Sequence, residues 1–118
     1  MKDYIQNAIK TESIHFNVTG RERLLHAGIG LATESGEFLD ALKKSIFYGK
    51  ELDIVNLKEE LGDVLWYMAI AMDALGTDFE TEMKKNIKKL KARYGEKFSQ
   101  DSAEKRDLKR EREILEEK

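Results

Sequence analysis

Apolar residues return along most of this chain at three- and four-residue intervals, and strict alternation never lasts long enough to make a strand. Leu57, Leu61, Val64, Leu65, Met68, Met72 and Leu75 form the cleanest run and predict one buried stripe on a long helix. Leu24, Leu31, Phe38 and Leu42 predict a second stripe, and Met83, Ile87, Leu90 and Tyr94 a third. The polar punctuation divides these stripes. A short first helix is expected near Asp3 to Glu12. Thr19 and Glu22 have the spacing of a capping box, opening a helix to about Phe47 that Gly49 stops. Asp53 or Asn56 caps the next helix, which ends at Gly76. Thr77 and Glu80 open another, which ends at Gly95, and Asp101 and Glu104 open a last helix toward the C-terminus. Short connections between amphipathic helices predict antiparallel neighbours, so the fold class is all-α, a bundle of four to five helices.

Composition agrees and removes several function classes. The 118 residues suit one domain, 37% are charged, and proline is absent. A net charge of −2 gives no general attraction to nucleic acid or to an anionic membrane. Without cysteine there is neither a disulfide nor a zinc–thiolate site. No apolar signal region opens the chain and no run is long enough to span a bilayer, so a cytoplasmic location is expected.

The acids carry the candidate chemistry. At about 100° per residue, Glu34 and Glu37 lie close together on the rim of one stripe, and Glu60 and Asp63 stand likewise on the next helix. A shift of 26 residues superposes the two pairs and their apolar neighbours. One acid pair at this spacing usually faces solvent. Two matched pairs would meet at one edge of the interface, where four carboxylates without counter-charge repel one another. Oxygen ligands with room for water are what Mg²⁺ or Mn²⁺ take. Gly36 and Gly62, one before each second acid, predict a close backbone approach, because a mid-helix glycine is otherwise costly. On the fourth helix Asn86, Lys89 and Arg93 line up beside the apolar stripe, as an amide, an ammonium and a guanidinium suited to phosphoryl oxygens. The alternative there is a solvated basic face, since Lys84, Lys85, Lys88 and Lys91 share the helix. His15 and His26 read as cap or surface residues. A di-iron bundle would want Glu-x-x-His pairs, and neither histidine has that spacing.

Glu34–Ser35–Gly36–Glu37 followed by Glu60–Leu61–Gly62–Asp63, with Asn86 to Tyr94 beyond, resembles the MazG-like all-α nucleoside triphosphate pyrophosphohydrolases. The resemblance implies a domain over 1–98 and leaves 99–118 as a charged helical extension. It implies a Mg²⁺-dependent hydrolase, with Mn²⁺ a possible substitute, that cuts a nucleoside triphosphate to monophosphate and pyrophosphate. Glu34, Glu37, Glu60 and Asp63 would be metal ligands, Asn86, Lys89 and Arg93 phosphate contacts, and Tyr94 their neighbour. Glu34 or Glu59 would take the proton of the attacking water. One of Trp66 and Tyr67 would face a nucleobase unless both serve packing. Relatives with the same carboxylate signature include dimeric dUTPases and phosphoribosyl-ATP pyrophosphatases. The rival from a different class is a helical interaction module whose acids are only surface. A homo-oligomer, dimer or tetramer, is implied, held mainly through core helices around Trp66, Tyr67 and the two glycines. Of residues 101–118, 13 are charged. A helix so polar gains little on its own domain, so the arm is expected either to lie across a neighbouring subunit or to fray in solvent.

Overall fold

A computed structural model describes residues 2–13, 20–95 and 98–118. The described residues form six helices: α1 (Lys2–Ile9), α2 (Gly20–Tyr48), α3 (Ile54–Leu75), α4 (Phe79–Tyr94), α5 (Gln100–Glu104) and α6 (Leu108–Glu116). None of them is long and apolar enough to cross a membrane. The chain divides into two compact units, residues 1–78 and 79–118.

Local signals set most helix ends. Gly49, Gly76 and Gly95 all take positive φ, 66°, 71° and 67°, where a side chain would be strained. Asp53 is the N-cap of α3 and accepts from the Asn56 amide, while Gly76 closes the same helix with its N–H on Asp73 and Met72 carbonyls. The expected box at Thr19 lies outside the described residues. The single last helix does not form. Ser99 caps α5, accepting from the Ser102 amide, and Asp107 then starts a new helix by accepting from Arg110. A second capping aspartate six residues into the segment is enough to break it in two.

In the first unit α2 and α3 run antiparallel. Arg23 meets Asp73, Gly30 meets Tyr67 and Glu37 faces Glu60, so partners fall along α3 as they rise along α2. The fully buried positions at this contact are small: Ala27, Gly30 and Ala69, with Ile70 the one large side chain among them. Ile5 and Ala8 bring α1 into the same core. Two polar ties fix it. The Trp66 indole N–H donates to the Thr11 hydroxyl at 2.8 Å, which donates in turn to the Ala8 carbonyl. Arg23 forks between Glu12 and Asp73 at 2.9 and 2.8 Å.

The predicted stripes need correcting. Leu61, Leu65 and Leu75 of α3 are exposed, as are Met83 and Ile87 of α4. Small residues let α2 and α3 approach through their alanine, glycine and acid positions, which turns Leu61 and Leu65 outward. Leu25, Ile29, Leu39 and Ile46 of α2 are open in the same way.

In the second unit α6 packs back on α4. Ile114 is 1% exposed and so forms the apolar part of that contact, while the acidic Glu111 is buried beside it. Sequence reasoning judged the arm too polar to pack on its own chain. A buried carboxylate held by two arginines supplies what so polar a helix otherwise lacks.

Candidate metal and nucleotide site

The antiparallel pairing of α2 and α3 brings Glu34, Glu37 and Glu60 together, with an oxygen from each within 4.8 Å of the others. Glu60 belongs as well to a second such group with Glu59 and Asp63. Three of the predicted ligands, Glu34, Glu37 and Glu60, therefore come together, and Asp63 joins the other group, with Glu60 the member common to both. It is not on a rim: only 6% of it is exposed, whereas Glu37 lies open to solvent.

Burying acids next to acids has electrostatic consequences. The Glu60 carboxyl is pushed up to about 7, first by sharing a hydrogen bond with Glu34, then by burial, then by Glu37. Among the described residues nothing donates to Glu34 Oε2 or Glu60 Oε2, although both oxygens are buried. Buried carboxylate oxygens without a donor are costly. An all-oxygen donor set with no ion-pair partner among the described residues fits a hard divalent ion, so the residues present suit a metal.

From Glu37 and Glu60 a cleft of about 430 Å³ runs toward the α2–α3 turn, lined also by Asp40, Lys44, Lys50, Asp53 and Asn56. Lys44 pairs with Asp40 at 2.7 Å, and this contact pulls the Asp40 carboxyl below its usual range. Sequence reasoning passed over Lys44 and Lys50. Lys44 was within reach of it, since it follows Glu37 by seven residues and so shares its helix face.

The other predicted residues have other neighbours. Tyr67 lies across Gly30 so closely that a Cβ there would be 2.1 Å from the ring. Its ring also meets His26 and Trp66 edge to face, at centroid distances of 5.7 and 5.0 Å. With Trp66 bonded to Thr11, both rings take part in the packing of α1, α2 and α3. Among the described residues of the chain itself, a Cβ at Gly36 or Gly62 would meet nothing within 4 Å. It is Gly30 that has no room. His15 lies outside the described residues.

In the second unit Asn86 is exposed and Lys89 half-buried. Arg93 lies over the Tyr94 ring, 5.4 Å from its centroid, and forks onto Glu111 with Nη2–Oε1 at 2.7 Å. Arg106 forks onto the same carboxylate at 2.8 and 3.2 Å. Hydrogen bonds from Arg106 and then Arg93 hold the Glu111 carboxyl down to about 2. Nothing in the spacing of 99–118 signals this buried acid.

Residues 24–98 match the family described as MazG nucleotide pyrophosphohydrolase domain. The chain is 33% identical to the Gene 37 protein of Mycobacterium phage L5 over 90 residues, covering 72% of this chain and 78% of that one. No solved structure matches it.

Proposed function

As the chain belongs to the MazG nucleotide pyrophosphohydrolase family, we propose that it hydrolyses nucleoside triphosphates to nucleoside monophosphate and pyrophosphate, with Mg²⁺ or Mn²⁺ held by Glu34, Glu37, Glu60 and Asp63. The observation that carries this reading is Glu60, buried against two other acids with an oxygen to which nothing among the described residues donates. Bound divalent ions would offset the negative charge of that cluster and bridge it to the polyphosphate. Glu59 is exposed and adjoins the cluster beside Glu60 and Asp63, so it is the acid proposed to accept the proton of the attacking water. Glu34, engaged with Glu60, is assigned to the ligand set. Asn86, Lys89 and Arg93 contribute phosphate contacts, and the cleft beside Glu37 and Glu60 takes part of the substrate, with Lys44 and Lys50 offering charge.

The proposal includes a homo-oligomer. It is supported by a groove of about 540 Å³ on α2, lined by Gly36, Leu39, Leu42, Ile46 and Phe47. Leu39, Ile46 and Phe47 are 64–74% exposed, more apolar surface than a helix facing solvent needs.

A screen of nucleoside triphosphates with pyrophosphate detection tests the reaction. Wild type should release pyrophosphate only with divalent metal, Glu60→Gln should release none, and Glu59→Gln should still bind metal but turn over at least about a hundredfold more slowly. Metal binding without any pyrophosphate release from the common nucleotides would contradict the reaction. Absence of metal binding would favour an interaction module.

A further inference from the structure

Arg93, Glu111 and Arg106 form a cluster that the reaction outlined above does not use in full. Glu111 is 3% exposed and takes forks from both arginines, each through Nε and Nη2. A carboxylate is a good device for orienting a guanidinium, but a lone carboxylate would also cancel the charge that an anion needs. The second arginine restores it. Two guanidinium groups on one carboxylate leave one surplus positive charge, and the other Nη of each lies outside the clamp. Arg93 carries its share with a side chain only 13% exposed, so water screens it poorly, whereas Arg106 is 40% exposed and open to an incoming ligand. Arg106 and Glu111 both lie beyond residue 98, where the family match ends.

We infer that this cluster is a phosphoryl-anion subsite, in which Glu111 is a positioning residue for Arg93 and Arg106 is a second phosphate-binding arginine supplied by the C-terminal segment. The inference rests on the reading of Arg93 as a phosphate contact. Its ligand is a pair of linked phosphoryl groups, which arrives either as the tail of a nucleoside triphosphate or as free pyrophosphate. A simple clamp holding α6 to α4 would need the ion pairs but no surplus charge. Here one arginine more than neutrality requires has been gathered around a buried acid.

Calorimetric titration of the full chain with pyrophosphate, and separately with a nucleoside monophosphate, tests it. Arg106→Ala is expected to weaken pyrophosphate binding about tenfold, the loss of one charge-assisted contact, while monophosphate binding stays within about twofold. Arg106→Lys keeps the charge without the fork and should retain most of the affinity. Glu111→Gln should weaken pyrophosphate binding. Tighter binding by that variant would show that Glu111 competes with the anion, and would overturn the inference. So would a wild type that does not bind pyrophosphate, or an Arg106→Ala variant with wild-type affinity and only a lower melting temperature. If pyrophosphate binding responds as expected but no nucleotide is cleaved, the subsite stands and the proposed reaction fails.

Discussion

Gly30 and Tyr67 touch where α2 crosses α3, and the ring occupies the space a β-carbon at residue 30 would need, 2.1 Å from Cε1. An aromatic ring wedged between two helices in this way cannot yield by turning a flexible tip. Gly30→Ala should therefore destabilise the protein by about 1–3 kcal/mol, the usual cost of overpacking. Gly62→Ala should do the reverse. That position is helical and open, so it should gain roughly 0.5–1 kcal/mol from the better helix former. Denaturant melts of the two variants decide the matter, and a stabilised Gly30→Ala would show that the helices are not in this contact.

Metal should stabilise the fold through the acid cluster. At a free Mn²⁺ concentration 100 times the dissociation constant, linkage adds about 2.7 kcal/mol to unfolding. Glu37→Gln and Asp63→Asn should each remove most of that gain. A melting curve unmoved by millimolar Mn²⁺ would refute the assignment.

The pH dependence has a definite sign. Glu60 in the fold holds its proton up to about pH 7, against 4.5 for an ordinary glutamate. The folded chain thus binds more protons than the unfolded one between those values, and metal-free stability falls as pH rises through that window. Glu111, held at about 2 against 4.5, acts in the opposite sense, and its contribution is lost as pH falls from 4.5 toward 2. Metal-free protein should melt higher at pH 5 than at pH 7.5, and Glu60→Gln should flatten that difference. Because metal competes with the Glu60 proton, Mn²⁺ affinity should also drop below pH 7, by up to about tenfold per pH unit.

The open face of α2 predicts assembly. Wild type should sediment as a dimer or larger at micromolar concentration, and Leu39→Asp or Phe47→Asp should shift it to monomer with its helicity kept. A monomeric wild type would remove the role given to these side chains.

Much of this was legible in the residues alone. The glycine stops at 49, 76 and 95 and the cap at Asp53 have local causes, fixed by φ and by a side chain three residues from its partner. The grouping of Glu34, Glu37 and Glu60 was legible because helical spacing places Glu34 with Glu37, and the matched pair on the next helix puts Glu60 at the same edge. Which face packs was not. Ala27, Gly30 and Ala69 carry too little hydrophobic signal to outweigh Leu61 and Leu65, yet their smallness lets the backbones approach. Burial of Glu111 was equally invisible, since an acid is buried only when partners from elsewhere reach it, and Arg93 does so from α4 and Arg106 from the turn ahead of α6. The split at Asp107 was missed because mixed charges with i, i+4 spacing read as one continuous helix.

The central claim is the bond that is cut. Phosphorus NMR of wild-type protein incubated with Mg²⁺ and a nucleoside triphosphate should show monophosphate and pyrophosphate rising together in equal amounts. The same mixture with Glu60→Gln should stay unchanged. Diphosphate with orthophosphate as the first products would place the attack at the wrong phosphorus and contradict the account.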